Sequence, residues 1–223
     1  MKPKTHRKPA ERKTRVAKVS TAREAIGIIE PNTDTFILTY GQFSLIDALV
    51  VILDQTGPAD VVVSTWTAAD AHLERTAALI ESAEMRSFRM IIDASFEARK
   101  PDYCHHMREL FGPDCIRAIT THSKFMLVQS DTHNIVVRTS MNLNENPRLE
   151  NMEISEDRGF ATFFRQITDN IFAELKDGMG NQRLPQLNEL QESFPFMSID
   201  APQIKRETLN EVETTHTLRR SNG

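Results

Sequence analysis

The chain has 223 residues, 39% of them apolar and 26% charged, with a net charge of −4; that is the balance of a soluble globular protein with one sizeable core plus tails. No apolar run approaches the roughly 18 residues of a membrane span, and the basic N-terminus lacks the apolar stretch of a secretory signal. Two cysteines, Cys104 and Cys115, form neither a C-x-x-C pair nor a disulfide framework, so a cytoplasmic chain with reduced thiols is expected.

Residues 1–20 hold five lysines, three arginines and one acid, Glu11, a local charge of +7 against about −11 for the remainder. Residues 1–24 show no apolar periodicity and are expected to form a disordered basic arm. Such an arm on an acidic body suits contact with nucleic-acid phosphates, or serves as a solvated leader.

The folded part follows. Residues 35–40 (TFILTY) read as a buried strand, and Ser44-x-x-Asp47 as a capping box opening a helix with Ile46, Leu49, Val50 and Leu53 inward, stopped by Gly57-Pro58. Residues 60–66 (DVVVSTW) form a second strand, followed by a cap-like Thr67-x-x-Asp70 and a helix to about Met85. Residues 88–93 (FRMIID) form a third strand, 100–111 a helix and 116–119 a short strand. Alternation of this kind predicts an α/β sheet with parallel pairs, covered on both faces.

The period then changes. Residues 125–128 and 135–137 are apolar runs joined by the polar turn Ser-Asp-Thr-His-Asn, an antiparallel hairpin that makes the sheet mixed. A strand is expected near 152–154, then a helix over 156–175 whose Phe160, Phe163, Phe164, Ile167, Ile171, Phe172 and Leu175 share one core-facing side. Residues 178–223 lose this order, with a short helix or docking segment expected around 184–196.

The hairpin carries the chemistry. His122 and Lys124 are two apart at one end, and Ser140 and Asn142 two apart at the other. Closing the hairpin symmetrically about Thr132 sets His122 opposite Asn142 and Lys124 opposite Ser140, four polar groups on one anion-binding patch. A register slipped by one residue puts the pairs on opposite faces. Downstream Glu153 is placed to accept a hydrogen bond from the His ring and fix its tautomer. The plain alternative is a surface hairpin with polar edges. Arg138 reaches the same site by strand parity or pairs with a surface acid. His133 reads as a solvated turn residue, and Trp66 as a cleft or core residue. Cys104, His105, His106 and Cys115 fit no common zinc spacing, so no metal or other cofactor is expected.

The series His122-x-Lys124, Thr139-Ser140-x-Asn142 and Asn151-x-Glu153 resembles the signature of the phospholipase D superfamily, H-x-K followed by G-S-x-N and a downstream Glu. The preceding strands and helices are similar to that family's α/β domain over roughly residues 25–177. The resemblance implies a metal-independent phosphodiesterase. His122 would attack phosphorus to give a phosphohistidine, Lys124, Ser140 and Asn142 would hold the phosphoryl oxygens, Glu153 would orient His122, and a second His would protonate the leaving oxygen. The sequence departs from the pattern at Gln129, where the family's Asp usually stands while Asp131 comes two residues late, and at Thr139, which replaces Gly. Only one motif is present, as in the small bacterial endonucleases of the superfamily, which pair two chains across a twofold axis.

The sequence reading is therefore a mixed α/β phospholipase D-like domain over residues 25–177, with a basic arm before it and a C-terminal extension over 178–223. It is expected to act as a homodimeric, membrane-free nuclease on DNA or another nucleic acid, through His122, Lys124, Ser140, Asn142 and Glu153. The alternative is a catalytically silent module of the same fold that binds DNA or a protein partner.

Overall fold

The computed structural model describes residues 11–16, 21–143 and 147–175. The expected docking segment at 184–196 lies outside them. Eight strands form one mixed sheet: β1 (Glu11–Val16), β2 (Thr33–Thr39), β3 (Ala59–Thr65), β4 (Met85–Asp93), β5 (Ile116–Ile119), β6 (Phe125–Gln129), β7 (Asn134–Thr139) and β8 (Glu150–Glu156), in the order β1-β2-β8-β7-β6-β3-β4-β5. Parallel pairs lie towards the two edges, β1 with β2, β3 with β4 and β4 with β5, while the central strands run antiparallel.

Both faces of this sheet are covered, which is why its inner strands read as continuous apolar runs rather than alternating ones. On one face Val61, Val63, Met90, Ile92, Met126, Val128, Ile135 and Val137 pack with α1 (Ala22–Ile26), α2 (Leu45–Thr56), α3 (Asp70–Glu81) and α5 (Pro101–Phe111). On the other, Val62, Ile91, Phe125, Leu127 and Val136 pack with Ala161, Ile171 and Leu175 on or just after α6 (Arg158–Glu174). Consecutive residues of one strand thus belong to opposite cores.

Local signals explain most boundaries. Ser44 and Asp47 form the capping box of α2, each side chain taking the other's backbone N–H, and Gly57, at φ 69°, ends that helix. Asp157 caps α6 by accepting from the amides of Gly159 and Phe160. Thr67 caps nothing: α3 starts at Asp70 after Ala69, with no side-chain cap, and stops at Glu81 rather than Met85. Ala83 takes a left-handed φ of 60° just beyond, turning the chain into β4 before the helical pattern has run out. A five-residue helix, α4 (Ser95–Arg99), separates β4 from α5 and had no signature of its own.

Residues 11–16, inside the segment expected to be disordered, form the parallel edge strand β1. An edge strand joins through backbone hydrogen bonds and needs no apolar face. Its charges find partners on its neighbours: Arg12 bridges Asp34 and Glu153 at 3.6 and 3.2 Å, and Lys13 pairs with Glu30.

Candidate active site

The β6–β7 hairpin turns tighter than a closure about Thr132. Ser130 N–H donates to the carbonyl of His133, and Ser130 Oγ accepts from the amides of Thr132 and His133, leaving a two-residue turn of Asp131 and Thr132. The register therefore runs Gln129 with Asn134 up to Phe125 with Arg138. Continued outward it sets Lys124 against Thr139, whose amide donates to the Lys124 carbonyl at 3.2 Å. The expected pairings of His122 with Asn142 and Lys124 with Ser140 are thus incorrect by one residue.

Three of those residues still meet, because they lie beyond the last paired rung of β6, where strand alternation no longer governs direction. His122, Lys124 and Ser140 line one open cleft of about 410 Å³, together with Arg138 and Asn151, and Phe125 and Phe164 as apolar lining. His122 is exposed, while Lys124, Arg138 and Ser140 are half-buried. The Lys124 ammonium donates to the His122 carbonyl at 3.1 Å and lies 3.4 Å from His122 Nδ1. Burial holds this amine below its ordinary lysine value, and the Glu150 carboxylate partly opposes that.

Ser140 ends the β7–β8 ladder with its side chain. Its amide donates to the Asn151 carbonyl at 3.1 Å, its Oγ accepts from the Asn151 amide at 3.0 Å, and its hydroxyl donates to Glu150. Thr139, in the position of the family's Gly, stitches the same end: its hydroxyl donates to the Asn151 carbonyl at 2.7 Å and accepts from the Met141 amide at 3.0 Å.

Asn142 and Glu153 are placed elsewhere. The segment after Ser140 swings to the end of β3, where Leu143 N–H donates to Thr65 Oγ1 at 3.3 Å and bridges Ala68; Asn142 Oδ1 lies 3.5 Å from Thr65 Oγ1, and Asn142 is not among the cleft-lining residues. Glu153 is directly opposite Arg138 on β8 and takes its guanidinium at 2.9 Å, with Arg12 at 3.2 Å on the same oxygen. Among the described residues no carboxylate is bonded to the His122 ring.

Gln129 has no part in the cleft. It sits at the far end of β6, accepting from Arg165 Nε at 2.6 Å and donating to Asn134 at 3.1 Å, five residues and so about 16 Å along the strand from Lys124. Asp131, in the turn, pairs with Arg86. His133 directly follows that turn. On α5, Cys104 is buried, His105 pairs with Glu109 and His106 with Asp70, so these residues point apart; no group of metal-ligating side chains is assembled among the described residues.

Sequence reasoning gave no role to Glu150, Asp93 or Arg99, and named Asn151 only as the start of the stretch that ends in Glu153. Asp93 had one usable signal, its place at the carboxyl end of a parallel strand, where α/β sheets build sites.

No protein-family model matches the sequence, and no curated protein does. Solved structures similar to the chain include Nuc, a phospholipase D family member from Salmonella typhimurium, at 16% identity over 66% of this chain and 99% of that one, with a TM-score of 0.42. NucT from Helicobacter pylori matches at 12% identity over 66% and 99% of the two chains, TM-score 0.46. Phosphatidylserine synthase from Haemophilus influenzae matches at 16% identity over 75% of this chain and 47% of that one, TM-score 0.46.

Proposed function

We propose that the chain is a metal-independent phosphodiesterase of the phospholipase D type that cleaves DNA at a site completed by a second copy of itself. One observation carries the reading: an exposed imidazole, an ammonium, a guanidinium and a hydroxyl line a single open cleft at the end of the hairpin. That set attracts a phosphodiester and offers it a nucleophile.

In this reading a ring nitrogen of His122 attacks phosphorus and forms an N–P bond as the bond to the leaving oxygen breaks. The leaving oxygen takes a proton from a second imidazole, and water then breaks the N–P bond, releasing the phosphate monoester and restoring His122. Lys124 and Arg138 balance the charge on the equatorial oxygens. Ser140 contributes its hydroxyl once Glu150 yields it, and Asn142 completes the set if its segment moves from Thr65 towards the cleft. Glu153 acts by holding Arg138 rather than by orienting His122.

The second imidazole is the argument for a homodimer. Among the described residues His122 is the one histidine lining the cleft, and His133 lies at the opposite end of the hairpin. A twofold axis beside the cleft would supply the partner by symmetry. DNA is favoured over lipid by the basic N-terminal segment, and no helix among the described residues is long and apolar enough to cross a membrane.

The test is incubation with DNA and with a simple phosphodiester in EDTA, beside a His122→Ala variant. Chelator-resistant cleavage that falls at least about 10³-fold in the variant supports the enzyme. Retention of DNA with no cleavage by either protein supports the silent binding module.

A further inference from the structure

We propose that Asp93 is a positioning residue for His122, acting through a closed ring of contacts that also fixes the indole of Trp66 against the imidazole. The inference rests on the reading of His122 as the nucleophile, and it names what does the orienting where, among the described residues, no carboxylate is bonded to the ring.

Asp93 is the last residue of β4 and is 7% exposed. Its Oδ2 accepts from the amide of Thr121, the residue before His122, at 3.0 Å. Its Oδ1 accepts from the amide of Ser95 at 3.0 Å and from the Ser95 hydroxyl. The same hydroxyl oxygen accepts from Arg99 Nε at 3.3 Å. Arg99 then sits over the Trp66 ring, its guanidinium carbon 4.0 Å from the ring centre, and donates to the Trp66 carbonyl at 3.3 Å. The Trp66 ring sits 5.9 Å from the His122 ring at a tilt of 54°. From Thr121 the path returns to Asp93, so the ring closes.

The far side of the loop is pinned independently, since buried Ser64 donates its hydroxyl to the Ser123 carbonyl at 2.9 Å. The backbone carrying His122 is therefore held on both sides, and the imidazole leans on an aromatic plane that a cation keeps in place. A carboxylate acting through backbone and an aromatic wall does the work that a hydrogen bond to the imidazole does elsewhere.

Trp66 is the single tryptophan of the chain, so intrinsic emission reports on this ring without any need for catalysis. An imidazole packed beside an indole quenches it, and the cations nearest this imidazole are Lys124 at 3.4 Å and Arg99 across the indole, with Arg138 on the same cleft. The emission of the full chain should therefore rise in His122→Ala, the difference being the His122-linked quench. Asp93→Asn and Arg99→Leu should each cut its amplitude at least about twofold and lower kcat on a phosphodiester about 10- to 100-fold, with KM within about twofold, as misplacement of a nucleophile does. Arg99→Lys should restore part of both.

Absence of a His122-linked quench in the parent chain overturns the proposal. So do quench and kcat unchanged in folded Asp93→Asn and Arg99→Leu. If Asp93→Asn fails to fold by circular dichroism, Arg99→Leu, on an exposed side chain, decides alone. If the parent chain cleaves no phosphodiester, the proposed function fails while the quench in the variants still judges the ring.

Discussion

Arg138 Nη2 forms an ion pair with Glu153 Oε1 at 2.9 Å across the directly opposed β7–β8 pair, and the same oxygen takes Arg12 at 3.2 Å. One carboxylate, with its side chain 16% exposed, therefore serves two cations, one of which borders the cleft. Glu153→Gln should release Arg138 and leave His122 as it was. The expected outcome is kcat within about threefold of the parent, with a stability loss of about 1 kcal/mol, small because Arg138 and Arg12 are 40% and 61% exposed and water screens them. Steady-state kinetics with a urea titration reads both. A fall in kcat of about 100-fold would return Glu153 to the role of orienting His122.

Glu150 sets an acid at the mouth of a site read as binding anions. It takes the Ser140 hydroxyl and raises the Lys124 amine against the lowering effect of burial. Glu150→Gln should therefore do two things. KM for a phosphodiester should fall by up to about fivefold at low salt, the factor that goes with about 1 kcal/mol for a partly exposed charge. The alkaline limb of the pH–rate profile, if it reports loss of the Lys124 proton, should move to lower pH, because the group that favoured the charged form is gone. Kinetics across pH in the variant checks the sign, and a limb that moves upward would refute the placement of Glu150 beside Lys124.

The strands were legible in the sequence because both faces of the sheet are covered: β3 and β4 read as apolar runs with Val61 and Val63 serving one core and Val62 the other. The capping box of Ser44 and Asp47 was legible for the same reason that it works, a side-chain oxygen three residues from the amide it satisfies. The hairpin register was not. Two hydrogen bonds accepted by Ser130 Oγ decide between a two-residue and a three-residue turn, and composition is silent on that choice. β1 was missed because an edge strand held by ion pairs and backbone carries no apolar period. Lys124 and Ser140 were grouped on a register that the chain does not use; they line the same cleft because it opens across the end of the hairpin, just beyond the last ladder pair of Phe125 and Arg138.

The basic N-terminal segment divides in two. Arg12 and Lys13 belong to β1 and spend their charge on Glu153, Asp34 and Glu30, so deleting residues 1–20 would damage the sheet as well as remove charge. Deleting residues 1–10 removes Lys2, Lys4, Arg7 and Lys8, a charge of +4, and leaves β1 intact. If those four contact phosphates, the slope of log K against log salt on duplex DNA should shrink by up to about 3.6, from about 0.9 per contact. Binding titrations at three salt concentrations measure it. An unchanged slope would remove this segment from the interface.

Asp93 ties the candidate site to acid stability. Burial by itself would push its carboxyl up, but the bonds from the Ser95 hydroxyl and from the Thr121 and Ser95 amides, with the charge of Arg99, more than offset this and hold it below the usual carboxylate value. The unfolded chain, whose Asp titrates near 3.9, then binds a proton at higher pH than the folded chain does. Its contribution is therefore fully present above about pH 4 and is lost as pH falls through the folded value. Asp93→Asn gives up one acceptor and the charge, so it should lower stability by about 1 to 2 kcal/mol at pH 7. The gap between parent and variant should narrow at pH 3, where the parent carboxylate is itself being protonated. Asp47, held low by Ser44 and Arg75 although its own burial pushes the other way, adds a contribution of the same sign that survives in the variant, so the variant keeps a weaker acid limb rather than none. Urea midpoints at pH 7 and pH 3 for both proteins give the two gaps. Equal gaps would mean that the Asp93 charge is not what holds Thr121 and Ser95.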